Sequence, residues 1–398
     1  MNSEIQSILN AFEQSQHQGK FTFLATVVGT QGSTYRRPGA RLLITEDGET
    51  IGLVSGGCLE RDLFEHTQQR MPDNQAKIVT YDHTATEDIL WGFGLGCTGT
   101  VQVLVERLNP PNDPLTFIAQ CWCDRSPGVL VSIIQAEDTA TQLGAYLTLT
   151  SHSIRMLGET EPALIKAMIP DAQAVLQDQQ SVVKQYELAT QPVKVLLEYI
   201  QPPIPLIIFG AGQDAVPIAE FAKALDWHVS VVDCRANPLS HERFATSDQV
   251  ILTRRERLDC LAIQPGTVAV IVTHNYYDDL EALRVLLPAS IRYIGLLGSK
   301  QRTKRLLQEL QQDASYTDVQ LAKLYAPVGL DIGAETPAAI ALSIMAEIQA
   351  VLSDRSGTSL KYRNASIHGT YPDRLTSPRG WSFEENGNAQ AATAHSRT

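Results

Sequence analysis

The chain has 398 residues and a formal charge of −12, with 43% hydrophobic and 19% charged residues. That length exceeds one ordinary core and fits two domains plus ends. The acidic balance disfavours a general nucleic-acid or anionic-membrane binder, and no apolar run reaches the roughly 18 residues of a membrane-spanning helix.

The N-terminus MNSEIQSILNAFEQS lacks the charged, apolar, small-residue series of a leader, so a cytoplasmic location is expected. The six cysteines, at 58, 97, 121, 123, 234 and 260, lack zinc-type CxxC pairing and are expected as reduced thiols.

Residues 4–16 carry apolar Ile5, Ile8, Leu9 and Phe12 at spacings of three and four, one face of an amphipathic helix. From Phe21 the pattern turns to short β-rich runs, FTFLATVVGT, ARLLITEDGETIGLVSG, AKIVTYD and TVQVLVERL, with hairpin signals such as Asp47-Gly48 between them. They predict a mostly antiparallel or mixed sheet. GVLVSIIQA, AYLTLT and VKVLLEYI are further candidate strands within 108–192, a stretch opened by three prolines and containing a Gln-rich helical patch near 172–180.

Three glycine turns stand out in this half. Ser55-Gly56-Gly57-Cys58-Leu59-Glu60 leads into a helix, so Cys58 falls at or near a helix N-terminus, where the dipole favours thiolate. The cluster at 92–99 holds Gly96 and Cys97 just before a strand. Two soft sulfur donors in glycine turns suit a soft metal or sulfur transfer; the alternative is small buried filler. The loop 32–39 combines Ser33 with Arg36 and Arg37, a local anion site or a solvated hairpin turn.

Gln201-Pro202-Pro203 marks a domain boundary, since paired prolines continue neither helix nor central strand. Beyond it strands and helices alternate: LIIFG, helix 214–225, VSVVD, VAVIVT, helix 279–287, YIGLL, helix 300–312 and helix 337–352. The alternation predicts a doubly wound parallel sheet. The expected organisation is therefore α/β: an N-terminal mixed α+β sheet domain over 1–201, a Rossmann-like domain over 204–352 and a polar, partly disordered tail over 353–398.

Gly210-Ala211-Gly212-Gln213-Asp214-Ala215 is G-x-G-x-x-A between a strand and a helix. Gly210 permits the tight turn, Gly212 the approach of a pyrophosphate, and the helix N-terminus attracts the phosphates; the alternative is a Rossmann-like fold kept for packing, with no nucleotide bound. Asp233, about 20 residues on, is placed to accept ribose hydroxyls. Arg235 suits a 2′-phosphate, an ion pair with Asp233 or a surface role. His274, at a strand C-terminus, is a candidate acid or base, with Asp279 close behind; packing for His274 and helix capping for Asp278 are the structural alternatives.

The motifs GSTYRRPGARLLI, GLVSGGCLERDLF, GLGCTGTVQVLVE, LIIFGAGQDAVPIAEFA, VTHNYYDDLEAL, YIGLLGSKQRTKRL and PVGLDIGAETPAAIALSIMAEI, in this order, resemble the XdhC/CoxI family. The resemblance implies a maturation factor that binds molybdenum cofactor (molybdopterin), protects it while a cysteine desulfurase partner supplies sulfur, and inserts it into an apo molybdenum hydroxylase such as xanthine dehydrogenase. It also implies a homodimer. By motif, Cys58 and Cys97 become candidates for contact with molybdenum or its sulfido group, and Arg36 and Arg37 for the phosphate. Such a protein is an insertion factor rather than an enzyme with turnover. Two other functions stay open: an NAD(P)-dependent oxidoreductase using Gly210, Gly212, Asp233 and His274, and a persulfide relay through Cys58.

Overall fold

A computed structural model describes residues 4–32, 34–57, 59–70, 75–82, 99–109, 113–136, 141–188 and 192–363. Ser33, Cys58, Gly96, Cys97 and the tail beyond 363 lie outside the described residues. The chain divides into two units, Met1–Pro203 and Ile204–Thr398.

In the first unit α1 (Glu4–His17) precedes β1 (Thr22–Gln31), β2 (Arg41–Thr45) and β3 (Thr50–Gly52), followed by α2 (Glu60–Arg70), β4 (Lys77–Asp82) and β5 (Thr100–Arg107). These strands form an antiparallel sheet in the order β3-β2-β1-β5-β4. The proline-opened stretch that follows, the least legible in sequence, builds a second sheet. There α3 (Pro114–Cys123) is followed by β6 (Gly128–Gln135), β7 (Tyr146–Leu149), β8 (Ile154–Leu157), α4 (Pro162–Asp178), β9 (Val182–Glu187) and β10 (Pro192–Ile200). Its order is β8-β7-β6-β10-β9, again antiparallel.

Strand alternation explains how both sheets are covered on both faces. Phe23, Ala25 and Val27 of β1, with Leu42 and Ile44 of β2, pack with Leu59 and Leu63 beside α2. Leu24 and Leu43 point the other way, joining Ile8 and Phe12 of α1, Leu115 and Ile118 of α3, and Leu130 and Tyr146 of the second sheet. The outer face of the second sheet, Val129, Val131, Leu147, Val195 and Leu197, is closed by Leu164, Met168 and Val175 of α4. Apolar residues on both parities therefore mark strands packed between layers, not one-sided hairpins.

The second unit runs β11 (Pro205–Phe209), α5 (Ala215–Ala224), β12 (His228–Asp233), α6 (Leu239–Arg243), β13 (Gln249–Leu252), β14 (Val268–Ile271), α7 (Tyr276–Leu286), β15 (Tyr293–Leu296), α8 (Lys300–Asp313), α9 (Asp318–Ala322), β16 (Leu324–Tyr325) and α10 (Pro337–Leu352). All its strands are parallel, in the order β13-β12-β11-β14-β15-β16. Taken in sequence that is 3-2-1-4-5-6, the doubly wound Rossmann order, with its switch point between β11 and β14. Leu206, Ile208 and Val270 pack against α5 and α10, and Phe209, Ile271 and Leu296 against α7 and α8.

Helix α7 starts earlier than its periodicity suggests. Asn275 caps it by accepting from the N–H groups of Tyr277 and Asp278, so capping falls to Asn275 rather than Asp278.

Candidate functional site

Each unit carries its own group of candidate residues. In the first, the turn between β3 and α2 is held by Ser55 and Glu60. The Ser55 hydroxyl donates to Glu60 Oε2 at 2.6 Å and accepts from the N–H groups of Gly57 and Leu59. Glu60 Oε1 accepts from the N–H groups of Val54 and Ser55 at 3.1 and 2.8 Å. Burial works against ionisation of Glu60, but these bonds outweigh it and hold its carboxyl below the usual range. The turn is thus fixed without help from the side chain of residue 56 or 57.

Gly57 has φ +110°, which restricts side chains, whereas Gly56 does not have positive φ. A Cβ added at either would meet nothing within 4 Å among the described residues. Gly56 is therefore not demanded by folding, and the bare backbone there leaves room for a ligand.

The loop before β2 places its two arginines differently. Arg36 donates to Glu4 Oε1 at 2.6 Å, and the same oxygen accepts from the Leu53 N–H at 3.2 Å, so this guanidinium is anchored to α1. Arg37 is exposed.

In the second unit, Gly210 has φ +113°, and a Cβ there would lie 2.4 Å from the Val272 carbonyl oxygen. Its glycine is required by the close passage of β11 and β14. At Gly212 the nearest atom to an added Cβ is Asp214 Oδ1, the mobile end of a side chain. Asp214 occupies the N-cap of α5 without capping it through its side chain. Its Oδ2 instead lies 2.6 Å from His274 Nε2, joining the glycine turn to the end of β14. His274 holds φ +57° and its side chain is 64% exposed. Arg243 of α6 donates to the Ala211 carbonyl at 2.5 Å, a contact that short-range sequence patterns do not signal.

Asp233 is only 1% exposed. Its Oδ2 accepts from the Ser240 hydroxyl at 2.6 Å and the Asn237 N–H at 3.3 Å, and its Oδ1 from the Arg235 N–H at 3.0 Å. Burial opposes its charge, yet these bonds and the Arg235 guanidinium hold the carboxyl below the usual range. The carboxylate organises the loop that follows β12.

Asp233→Ala strands those donors, and the second unit is expected to lose about 2–4 kcal/mol in urea denaturation. A folded-state value below the unfolded one means that this contribution is present above about pH 4 and disappears as the pH falls through the depressed value. An unchanged denaturation midpoint would remove the carboxylate from this role.

Asp279 is likewise buried, accepting from the Thr273 hydroxyl and from Arg302 Nε and Nη2 at 3.1 and 2.6 Å. Burial pushes its carboxyl above the usual range despite those partners. Asp278 pairs with Arg255 at 3.1 Å. The His274 segment is thereby tied through Thr273 and Asp279 to α7 and α8.

Comparison with known proteins gives two family models: the XdhC and CoxI family over residues 15–82 and the XdhC Rossmann domain over residues 206–348. A Bacillus subtilis protein named as a probable xanthine dehydrogenase subunit is 34% identical over 345 residues, 86% of this chain and 96% of its own length. The chain belongs to the XdhC and CoxI family. Its structure is similar to the crystal structure of a xanthine dehydrogenase from Bacillus halodurans, with a TM-score of 0.71 and 31% identity over 89% of this chain and 98% of that one. The Escherichia coli molybdenum cofactor insertion chaperone PaoD is 21% identical over 352 residues, 88% of this chain and 90% of its own. The first XdhC match contains the Gly56-Gly57 turn and the Rossmann match contains Gly210 to Asp279.

Among the described residues no helix is long and apolar enough to cross a membrane, and no group of three or more His, Cys, Asp or Glu is arranged to hold a metal.

Proposed function

We propose that this XdhC-family protein carries molybdenum cofactor during maturation of a molybdenum hydroxylase, sheltering it while a cysteine desulfurase supplies the sulfido group and then passing it to the apo-enzyme. The observation that carries this function is the Ser55–Glu60 turn, held by the hydrogen bonds of Ser55 and Glu60 yet open in front of Gly56 among the described residues. Family membership and the role named for PaoD point the same way.

In this proposal Gly56 and Gly57 let backbone approach the cargo. Cys58, next in sequence, and Cys97 supply sulfur near molybdenum, with Ser33 and Gly96 as further proposed contacts. Arg36 and Arg37 meet the phosphate, Arg36 on leaving Glu4. Gly210 and Gly212 are proposed to admit a nucleotide at the switch point of the second unit. Asp233 and Asp279 shape the surrounding loops, with His274 holding Asp214. NAD(P) is not carried into this proposal, because a carboxylate only 1% exposed is poorly placed to meet a ribose. We also propose a soluble cytoplasmic homodimer.

The test is to purify the protein from a host that makes the cofactor and to measure molybdenum and pterin per chain. Wild type is expected to contain both. Gly56→Ala is expected to keep its stability within about 0.5 kcal/mol while loading falls roughly tenfold, the loss of about 1.4 kcal/mol of binding. Cys58→Ala and Cys97→Ala should lose molybdenum as well. Wild type without molybdenum and pterin, or Gly56→Ala loaded like wild type, would overturn the assignment.

A further inference from the structure

Alternation along the strands of the first unit sends Arg41 of β2, Glu106 of β5, Tyr146 of β7 and Glu198 of β10 to the same side as Leu43, Leu104 and Leu196, the side between the two sheets. Arg41 Nη1 and Nη2 donate there to the two Glu198 carboxylate oxygens, while the buried Arg41 Nε has no hydrogen-bond partner among the described residues. Glu106 and Tyr146 do not pair with each other or with them. They line a cavity of about 280 Å³, together with Asp113, Asn109, Gln142 and Gly144.

The Tyr146 residue is 6% exposed, and its buried hydroxyl has no hydrogen-bond partner among the described residues. A buried hydroxyl left unpaired costs about 1–3 kcal/mol, which phenylalanine would avoid. Its presence points to a partner that enters the cavity. Asp113, 2% exposed, caps α3 through Thr116 and adds a second carboxyl to the wall.

The chemistry of the wall selects the ligand. Two carboxyls, the hydroxyl and the amide oxygens of Asn109 and Gln142 make it rich in acceptors. The cation among its lining residues, Arg107, lies over the face of Phe21, 4.7 Å from the ring centre. That set disfavours an anion. A divalent metal is disfavoured too, as no metal-holding group of three occurs among the described residues.

We propose that this cavity binds a planar N–C–N donor edge, the edge shared by the aminopyrimidinone ring of a pterin and by a guanidinium group, with the Glu106 carboxylate as its bidentate acceptor and the Tyr146 hydroxyl beside it. The pterin source rests on the cofactor-carrying function proposed above; the guanidinium source does not.

Burial pushes the Glu106 carboxyl up to about 8, with Arg41 opposing and Asp113 adding to the rise. The groups facing it are thus Arg41 from β2, Asp113 from the start of α3 and Tyr146 from β7, whose own ionisation is pushed up by burial and then by Glu106 and Asp113. A donor edge replaces the proton. The O–H bond of Glu106 breaks, the proton leaves to solvent, and two N–H···O bonds form.

The full-length protein is titrated with 6-hydroxymethylpterin, followed by its fluorescence at pH 7, and with methylguanidinium, followed by calorimetry from pH 6 to 9. Methylguanidinium stays charged throughout, so its affinity for wild type is expected to rise about tenfold per pH unit up to about pH 8 and then level. Glu106→Gln should bind roughly tenfold or more weakly, without that pH dependence, and Tyr146→Phe several-fold more weakly, about 1 kcal/mol at 1.4 kcal/mol per tenfold. Thermal unfolding shows whether each variant is folded.

Saturable binding of either probe that depends on Glu106 supports the site, and the probe bound more tightly identifies the source. Binding of neither, affinity unchanged in Glu106→Gln, or saturation by magnesium or calcium instead overturns it. The probes carry no molybdenum, so their binding can fail while wild type is loaded with metal, and can succeed while it is not.

Discussion

Arg41→Met is expected to destabilise the first unit by about 3–5 kcal/mol, the cost of leaving a buried carboxylate without its partner. Arg41 is 6% exposed. Its Nη1 and Nη2 meet Glu198 Oε1 and Oε2 at 2.9 and 2.5 Å, and Nη1 also donates to the Gly39 carbonyl at 2.8 Å. The pair joins β2 of one sheet to β10 of the other, across a layer that also holds Leu24, Leu43, Leu115 and Leu130. Gly39 belongs to the same arrangement, since its φ is +96° and an added Cβ would fall 2.7 Å from Glu198 Oε1.

A double variant, Arg41→Met with Glu198→Leu, is expected to recover most of the loss, because no charge is then buried alone. Urea denaturation of the full chain, with separate probes for the two units, measures both effects. A cost below about 1 kcal/mol for Arg41→Met would place the pair with solvent-screened surface bridges instead.

Gly210→Ala is expected to cost more than about 3 kcal/mol, or to prevent the second unit from folding, while Gly212→Ala costs less than about 1 kcal/mol. The two glycines share a fingerprint but not a physical situation. At Gly210 the added carbon would sit 2.4 Å from the Val272 oxygen and 2.7 Å from its carbonyl carbon, on a backbone with φ +113°. Neither atom can yield easily, because the Val272 N–H is bonded to the Phe209 carbonyl at 2.8 Å between β11 and β14. At Gly212 only the Asp214 carboxylate must swing away. That movement breaks the contact with His274, so Gly212→Ala should alter the environment of the His274 ring, visible by NMR, with little change in stability. Equal losses from the two substitutions would contradict this division.

The Rossmann half was legible because each apolar strand is followed by a helix with its own caps and period, and because G-x-G-x-x-A is local. The strand order was not, since β13 and β16 contribute only four and two residues and their places depend on partners distant in sequence. Asp233 shows the limit of spacing: its distance from the glycines suits a ribose contact, but Ser240 and Asn237, further along the chain, take its oxygens. In the first half, β6, β7 and β10 were recognisable as strands, but apolar residues on both parities do not say which layer covers which face. Glu198 within VKVLLEYI, and Glu106 at the end of TVQVLVER, were the available signals of polar groups between layers.

The sequence by itself determined the family, the α/β class, the G-x-G-x-x-A turn and the parallel sheet of the second half, because these rest on local period and contiguous motifs. Only the tertiary structure decided that the first half holds two antiparallel sheets, that Arg41 finds Glu198 across 157 positions, and that Glu106, Asp113 and Tyr146 share one cavity. Those outcomes depend on which faces meet, and a buried charge acquires its partner only when the layers close.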